Sequence, residues 1–438
     1  STPLVCLNIS KLSEFVRELH LINKAKNISN YAELDSESKR EEIIQNSLEQ
    51  LKSREIFINS IGIEYSNKKP IHLVKDIVAL PVINLLNENL QRAYSIKPKS
   101  RESILPVVIN YLKETAPYSI FRFDIISFYE SFERPSVLKK IKDDGLLSNE
   151  TIKVLELLFL EFQNKQKGDP KIEFKGLPRG LNISATLSEI MFQDFDKKIL
   201  ENKDVYYYAR YVDDIIIIAK SGKKAKEFQN EIKNLIPKPL KFHNTSNKQA
   251  ALNIPKSSED SNNKTIVPKF SFLGYEFTIS DTTEIDKNCF SLPRRKIDID
   301  ISENKIDKIK ERTRLTLIYF LKSHFPMGSE YQKMILRLKF LTSNYDLPIP
   351  NKGKTIKSGI RYNYRFITSD KSLKELDRYL SMLLFSKNSK TSRKLRNVLG
   401  IDNVRDLAHF SFSSGYNLKK HCKFTTEELD KIKEAWRK

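Results

Sequence analysis

The stretch that decides the fold is Tyr208-Ala209-Arg210-Tyr211-Val212-Asp213-Asp214-Ile215-Ile216-Ile217-Ile218. Apolar and aromatic residues lead into two adjacent carboxylates, and a run of isoleucines follows. Because β-branched and aromatic residues favour strands and Asp tolerates turn geometry, the pattern predicts a buried β-hairpin with two acids at its tip. Carboxylates between apolar strands repel each other and lose hydration, and a divalent cation is the usual compensation. A solvated Asp-Asp turn is the alternative interpretation.

Three other segments favour a functional site over that turn. Ile120 to Asp124 is a second short apolar strand ending at an acid, and Phe128-Tyr129 follows it. Gly176 to Ile190 is a Gly/Pro turn that leads into a helix of small residues, which allows close approach of another backbone or a nucleotide. Phe270 to Phe277 is a hairpin-like aromatic segment with a central glycine. In this order the segments resemble motifs A, B, C and E of reverse transcriptases, and Tyr-Val-Asp-Asp is the family's most specific element.

The resemblance implies an α+β fold, the right-hand polymerase with fingers, an RRM-like antiparallel palm and a helical thumb and C-terminal region. The domains expected are residues 1–115 for the fingers and N-terminal helices, 116–280 for the palm (with finger elements at about 135–175), 281–390 for a basic helical thumb and 391–438 for a helical tail. Apolar spacing predicts a helix pair over Ile71 to Leu90, broken near Pro81. The polar composition of Asn244 to Pro268 predicts a loop or insertion.

The chemistry implied by the resemblance is phosphoryl transfer from a deoxynucleoside triphosphate to a primer 3′-hydroxyl. Two Mg²⁺ ions roughly 3.5–4 Å apart perform it, with Mn²⁺ as a substitute. Mg²⁺ prefers carboxylate and phosphate oxygens. The expected catalytic residues are therefore Asp124, Asp213 and Asp214, and the same acids with the Ile125 carbonyl form the expected metal site.

The nucleotide site is expected around Tyr129, five residues after Asp124, where the resemblance places the residue beneath the sugar. A bulky ring there clashes with a 2′-hydroxyl and predicts selection of deoxynucleotides; Phe128 is the competing assignment. Arg179 stands where retroviral and intron enzymes usually have Gln, and Lys248 falls near the motif D lysine. The predicted nucleotide-binding residues are Lys97, Lys99, Arg101, Phe128, Tyr129, Arg179, Gly180 and Lys248.

The net charge of +21 and the pI near 9.5 predict a polyanionic partner, with nucleic acid ahead of a membrane surface. Basic and aromatic residues alternate in the C-terminal half, which suits phosphate neutralisation and base stacking. The predicted nucleic-acid-binding residues are Arg294, Arg295, Lys296, Lys357, Arg361, Tyr362, Tyr364 and Arg365. The resemblance adds a primer grip at Phe272, Leu273, Gly274 and Tyr275.

Cellular location is predicted from what the sequence lacks. No apolar run approaches the roughly 20 residues that span a bilayer, and the N-terminus lacks a signal-peptide pattern. The cysteines at 6, 289 and 422 are widely spaced and odd in number, which indicates reduced thiols in a cytoplasmic protein.

The segment Asp124-Ile125-Ile126-Ser127-Phe128-Tyr129-Glu130-Ser131 resembles the bacterial defence-associated reverse transcriptases, and Ser358 to Tyr364 fits the same group. That resemblance implies anti-phage defence, an RNA template that is often a dedicated noncoding RNA, a DNA product, sometimes protein priming, and often homo-oligomers. Retron or intron-type enzymes are the alternatives within the class. An RNA-dependent RNA polymerase and a non-catalytic RNA-binding scaffold are the alternatives outside it.

Overall fold

A computed structural model describes residues 37–66, 69–97, 99–165, 175–222, 225–245, 248–257, 268–285, 291–323, 328–348 and 355–436. The chain forms two compact units. The first takes in the described residues within Ile28–Lys264 and Asp281–Arg295, and the second takes in those within Thr265–Ser280 and Lys296–Lys438. The finer division into fingers, palm, thumb and tail stays a prediction.

The first unit begins with a helix, a hairpin and two further helices. These are α1 (Glu37–Ser53), β1 (Ile61–Ser66), β2 (Lys69–Val74), α2 (Ala79–Ala93) and α3 (Arg101–Leu112). The helix pair predicted over Ile71 to Leu90 is therefore wrong in its first half, because Ile71 to Val74 pair with β1 in an antiparallel hairpin. Pro81 does not break a helix: it lies in the first turn of α2, where backbone N–H groups have no intrahelical acceptor to lose.

A four-stranded antiparallel sheet lies at the centre of the first unit, in the order β4-β5-β3-β6. Its strands are β3 (Tyr118–Asp124), β4 (Val205–Tyr211), β5 (Asp214–Lys220) and β6 (Ala250–Ile254). Every residue of β3 is buried, as are Ile215 to Ala219 of β5. The hairpin predicted around the two acids is confirmed.

Strand β6 corrects the prediction of a structureless insertion over Asn244 to Pro268. Ala250 to Ile254 pair with Arg122 to Tyr118 and extend the sheet at the free edge of β3. The segment has weak strand propensity of its own, so the hydrogen bonds offered by β3 decide its conformation. Residues 258–267 lie outside the described part of the chain.

The helices that accompany this sheet share one hydrophobic core with it and with α2. They are α4 (Phe128–Ser131), α5 (Arg134–Asp144), α6 (Asn149–Lys165), α7 (Asn182–Leu200) and α8 (Ala225–Leu235). Helix α7 contributes Ile183, Leu187 and Ile190 to the core at helical spacing, as its sequence predicted. The helix thereby presents a fixed face toward β4.

A three-stranded sheet has residues 269–280 and 296–301 in the second unit, which also contains a hairpin and a helical core. The sheet has the order β7-β8-β9, with β7 (Lys269–Phe272), β8 (Tyr275–Ile285) and β9 (Ser291–Ile301). The hairpin pairs β10 (Asn344–Pro348) with β11 (Thr355–Gly359). The helices are α9 (Glu303–Lys322), α10 (Ser329–Thr342), α11 (Ile360–Asn363), α12 (Lys371–Phe385), α13 (Lys390–Leu399), α14 (Ile401–Asp406), α15 (Phe412–Asn417) and α16 (Thr426–Glu434).

Two features of the C-terminal helices follow from their sequence. Thr425 and Glu428 form the capping box that their spacing predicted at the start of α16. Leu317, Leu338, Leu373 and Leu395 bring α9, α10, α12 and α13 into one core. Within the described residues, no helix is both long and apolar enough to cross a membrane.

Candidate active site

The three predicted acids meet at one end of the four-stranded sheet. Asp124 ends β3 and pairs directly with Asp214, the first residue of β5. Val212 and Asp213 form the two-residue tip between β4 and β5. The Ile125 amide donates a hydrogen bond to the Asp213 carbonyl over 3.2 Å, which fixes the tip against the end of β3. Strand pairing thus brings together acids that lie about ninety residues apart in the chain.

Asp124 is buried and Asp213 and Asp214 are partly buried beside it, which changes the pKa values of the last two. Burial raises the pKa of Asp213 to about 6, and the charges of Asp214 and Asp124 add to the effect. Burial also raises the pKa of Asp214, opposed by the nearby Arg122 guanidinium. Asp124 is 4% exposed. The site therefore concentrates negative charge where solvent stabilises it poorly.

Three cationic or imidazole groups contact these acids. The Lys248 ammonium lies 2.6 Å from Asp124 Oδ2, and His243 Nε2 lies 3.3 Å from Asp124 Oδ1. Arg122 Nη2 lies 3.3 Å from Asp214 Oδ1. Lys248 was expected near the nucleotide, and the structure places its ammonium on Asp124, one of the predicted acids. Sequence reasoning missed His243 and Arg122; Arg122, two residues before an acid within an apolar strand, was a signal for a buried partner.

The donor set fits a hard divalent cation. Three carboxylates and the neighbouring Ile125 carbonyl offer only oxygen atoms, which Mg²⁺ prefers, and their mutual repulsion calls for a positive charge. Lys248 already places one such charge on Asp124. Across the described ranges, no three or more His, Cys, Asp and Glu side chains have the spacing of a metal centre. Binding of an ion at these acids is therefore a proposal.

Tyr129 and Phe128 have different environments. Phe128 is 3% exposed and packs edge-to-face on Phe132 with ring centroids 5.2 Å apart, so it belongs to the core. Tyr129 is half-buried, and its pKa is raised by burial and by the nearby Asp213 and Glu189 charges. Of the two candidates for the residue beneath the sugar, only Tyr129 is partly exposed and has a pKa raised by the Asp213 charge.

Arg179 lies beside Tyr129. Its guanidinium carbon is 5.8 Å from the centre of the Tyr129 ring, and Nη2 is 2.9 Å from Glu130 Oε1. The Leu177 amide donates to the Tyr129 carbonyl over 2.8 Å, which joins the Gly/Pro turn to the segment after Asp124. The second predicted motif therefore packs directly on the first.

The hairpin strand β2 rests on the same turn. The His72 amide donates to the Arg179 carbonyl over 2.7 Å. Gly180 has a φ of +103°, and a Cβ there would lie 2.6 Å from the His72 carbonyl oxygen. Glycine is required at this position because the backbone conformation and the close approach both exclude a side chain.

A cavity of about 130 Å³ lies between β2, Glu130 and the turn at residues 176–179. Three buried polar atoms of its lining residues have no hydrogen-bond partner among the described residues: His72 Nδ1, Glu130 Oε2 and Arg179 Nε. Buried polar atoms are usually paired. These three unpaired atoms are themselves shielded from solvent.

Other predicted residues of the first unit have more varied positions. Lys97 and Lys99 are exposed between α2 and α3, and Arg101 is the first residue of α3. Arg294 is exposed. Arg295, in contrast, has a side chain only 1% exposed, which lies 3.5 Å from Asp281 and donates to the Pro255 carbonyl over 2.7 Å. Its predicted contact with nucleic acid is wrong, because these internal partners hold the guanidinium away from solvent.

In the second unit, the predicted nucleic-acid-binding residues combine exposed cations with aromatic rings. Lys296 and Lys357 are exposed, and the Lys357 ammonium lies 5.6 Å from the centre of the Tyr362 ring. Arg361 lies over Tyr416, and the exposed Arg365 lies over Phe366. Tyr364 packs against Tyr275 with ring centroids 6.2 Å apart.

The predicted primer grip forms the tip of the β7–β8 hairpin. Phe272, Leu273 and Tyr275 are buried, and the Tyr275 hydroxyl donates to the Asn363 carbonyl over 3.1 Å. Gly274 has a φ of +86°. These side chains hold the hairpin within its own unit, so any primer contact would fall to the backbone of the tip.

A network behind the acid tip was missed by sequence reasoning. Arg210 forms ion pairs with Glu189 and Asp196 of α7, at 2.6 and 2.7 Å. Asp196 is half-buried, because the buried Arg210 guanidinium binds it. The available signal was the spacing of Glu189, Phe192 and Asp196, which places all three on one helix face.

This site combines three acids at one end of an antiparallel sheet with a Gly/Pro turn that packs on the segment after Asp124. Residues 68–277 match the family model described as "Reverse transcriptase (RNA-dependent DNA polymerase)". The matched residues, just under half of the chain, include all three acids, Tyr129 and Arg179, and over them the chain is similar to the reverse transcriptase family. The match supports an RNA-directed DNA polymerase.

Solved structures give a more distant likeness. Telomerase from Candida albicans, in complex with a TWJ fragment of telomeric RNA, matches at 12% identity and a TM-score of 0.33, over 89% of this chain and 65% of that one. Telomerase from Candida tropicalis, in complex with a TWJ fragment of telomeric RNA, matches at 12% identity and a TM-score of 0.32, over 93% and 68%. Scores this low carry no argument. No curated protein sequence matches the chain significantly.

Proposed function

We propose that this protein is an RNA-directed DNA polymerase that adds deoxynucleotides at Asp124, Asp213 and Asp214. The observation that carries the proposal is the direct pairing of Asp124 with Asp214 across neighbouring strands, with Asp213 in the adjoining tip. A scaffold that only binds RNA has no need of three acids crowded at one sheet end, where burial and mutual repulsion oppose their ionisation.

The metal proposed is Mg²⁺, as two ions held by the three carboxylates and the Ile125 carbonyl, with Mn²⁺ as a substitute. Bound there, the ions would acidify the primer hydroxyl and neutralise charge on the leaving group. Lys248, at 2.6 Å from Asp124, supplies a mobile positive charge that can turn toward a triphosphate. Its long side chain makes both positions accessible without backbone movement.

The nucleotide is proposed to lie on Tyr129, between the acids and the cavity lined by Glu130 and Arg179. The ring, backed by the Arg179 guanidinium, would exclude a 2′-hydroxyl. Glu130 and Arg179, which line that cavity, are proposed to contact polar groups of the nucleotide. Lys97, Lys99 and Arg101 are proposed to approach the triphosphate.

The nucleic-acid partner is proposed to be an RNA template, with the DNA product as a second ligand. The net charge of +21 and the cation–aromatic pairs around Lys357, Arg361 and Arg365 support this proposal. The likeness of the Asp124 to Ser131 segment to bacterial defence-associated enzymes supports an anti-phage role in the cytoplasm. A dedicated noncoding RNA, protein priming and a homo-oligomer belong to the same proposal.

The test is labelled-nucleotide incorporation by the protein purified with the RNA that accompanies it, in Mg²⁺ and without added primer. Deoxynucleotides and ribonucleotides are supplied separately, Asp213→Ala is the control, and both product and bound RNA are sequenced. DNA of one recurring sequence complementary to the bound RNA is expected. Ribonucleotide incorporation would indicate an RNA polymerase instead, and no incorporation with or without a primer would contradict the proposal.

A further inference from the structure

The Arg210 side chain is a buried fork with five polar contacts. It is 3% exposed, and its guanidinium lies 4.5 Å above the Phe192 ring. Nη1 and Nη2 donate to Glu189 Oε1 and Oε2 at 2.8 and 2.6 Å, while Nε and Nη2 donate to Asp196 Oδ1 and Oδ2 at 3.0 and 2.7 Å. Two bidentate pairs use the planar geometry of a guanidinium fully, and no ammonium can reproduce them.

All three of its α7 contacts lie on one face of that helix. Glu189, Phe192 and Asp196 are spaced three and four residues apart, so they form a row along the axis. Asp196 is fixed further by the Tyr208 hydroxyl, which donates to Oδ1 over 2.5 Å. Helix α7 begins directly after the Gly176–Gly180 turn, which is proposed to lie beside the nucleotide. The row of Glu189, Phe192 and Asp196 therefore lies on the helix that follows this turn.

The fifth contact reaches the acid tip. Arg210 Nη1 donates to the Val212 carbonyl over 3.4 Å, one residue before Asp213. Val212 has a φ of +59°. A β-branched residue in this left-handed region is strained, and such strain persists only when the surroundings enforce it. The same nitrogen that binds Glu189 therefore also restrains the strained residue that presents Asp213.

We propose that Arg210 is a positioning residue for nucleotide addition: with Glu189 and Asp196 it fixes the Val212–Asp213 tip to helix α7. The inference rests on the proposed function, and it concerns a residue that does not contact the side chains of Asp124, Asp213 or Asp214. It makes the placement of the Asp213 carboxylate depend on α7. The weak 3.4 Å contact is sufficient because the restraint acts on one peptide whose ends are already fixed by the β4–β5 pairing.

A purely structural role is the competing explanation, since a buried ion-pair network that loses a partner costs stability anywhere. The second unit provides the matched control. Arg337 is also fully buried and lies over a ring, but its guanidinium donates to the carbonyls of Ile432 and Lys431 at the end of α16. It caps a helix and has no acid tip to restrain.

The test compares Arg210→Lys with Arg337→Lys in the full-length protein. Arg210→Lys is expected to lower kcat for deoxynucleotide addition 10- to 100-fold, about the effect of a 1 Å misplacement, with KM for the nucleotide and Kd for RNA nearly unchanged. In metal-free protein, hydrogen exchange at the 211–214 amides should rise before exchange in α7 does. Arg337→Lys should lower Tm without changing kcat of the folded protein.

Two partner variants keep the proposal testable if Arg210→Lys does not fold. Glu189 accepts from Arg210 Nη1, the nitrogen that also donates to the Val212 carbonyl. Glu189→Gln should therefore lower kcat more than Asp196→Asn, which should mainly lower Tm. Wild-type kcat and tip exchange in Arg210→Lys or Glu189→Gln would overturn the proposal. An inactive wild type would contradict the proposed function, while the exchange measurement, which needs no activity, would still decide the restraint of the tip.

Discussion

The two hairpins β4–β5 and β7–β8 have tips of the same length but different character. In the first, Val212 and Asp213 separate the paired residues Tyr211 and Asp214. In the second, Leu273 and Gly274 separate Phe272 and Tyr275. The second tip has a positive φ at both residues, +49° and +86°, and glycine takes the larger value without cost. The first places a valine at +59° beside an acid.

The Leu273–Gly274 turn stabilises its own hairpin, whereas the Val212–Asp213 turn stabilises the candidate site. Phe270 and Phe277 stack with ring centroids 5.1 Å apart behind the Leu273–Gly274 tip. Side-chain packing and the turn residues therefore both favour this hairpin. Behind the Val-Asp tip lies the Arg210 network, and in front of it lie Asp124 and Lys248. Both tips hold a non-glycine residue at positive φ, but only the first combines a β-branched residue there with like charges, which is where function is expected.

The largest expected effect comes from removing one charge at the strained tip. Asp213→Asn should abolish nucleotide addition, by roughly 10³-fold or more, because the metal site loses a ligand, while RNA affinity is retained. Single-turnover addition and RNA binding by anisotropy measure the two. Gly274→Ala is the matched change at the other tip, and it should act on Tm. Residual activity within tenfold of wild type in Asp213→Asn would remove Asp213 from the site.

The next effect concerns the ring beside the acids. Tyr129→Ala should reduce discrimination against ribonucleotides by roughly 10- to 100-fold, because the clash with the 2′-hydroxyl disappears. The ratio of kcat/KM for a deoxynucleotide and its ribonucleotide measures it. Tyr129→Phe keeps the ring and should keep the discrimination. An unchanged ratio in Tyr129→Ala would contradict the assignment of this ring to the sugar.

The Val212–Asp213 tip also predicts a pH dependence of the free energy of unfolding that the Leu273–Gly274 tip lacks. The folded-state pKa of Asp213, about 6, exceeds its ordinary 3.8, so the folded protein holds the extra proton between about pH 4 and 6. Metal-free protein should therefore lose stability as pH rises through that window, by about 1–2 kcal/mol after screening. Urea unfolding at pH 4.5 and 7.5 measures it. Asp213→Asn should lose less stability than wild type over this pH range. Equal losses in the two proteins would contradict the raised pKa of Asp213.

The smallest effect tests the strain itself. Val212→Gly relieves the left-handed valine but frees the unfolded chain, so the free energy of unfolding should change by less than about 1 kcal/mol. Gly274→Ala should lose about 1–2 kcal/mol, because alanine does not readily adopt φ +86°. Urea unfolding of both variants measures the difference. A larger loss in Val212→Gly than in Gly274→Ala would mean that Val212 is not strained.

How much was predictable from sequence differs between these regions for physical reasons. Local patterns specified the acid hairpin, α7 and the capping box at Thr425, because propensity and burial agree there. They failed at β2 and β6, whose conformation is set by hydrogen bonds to partner strands distant in sequence. At the site, the acids and Tyr129 follow from order and spacing. Arg210, His243 and the burial of Arg295 do not, since a sequence does not show which charges become neighbours.

The most direct measurement is single-nucleotide extension of a DNA primer on a defined RNA template, by wild type and by Asp124→Asn, in Mg²⁺. Asp124 is the acid from the neighbouring strand, so this variant tests whether strand pairing creates the site. The account predicts addition of the complementary deoxynucleotide by wild type and its loss in Asp124→Asn, with primer-template binding retained. Equal extension by both proteins, or addition that ignores the template base, would contradict it.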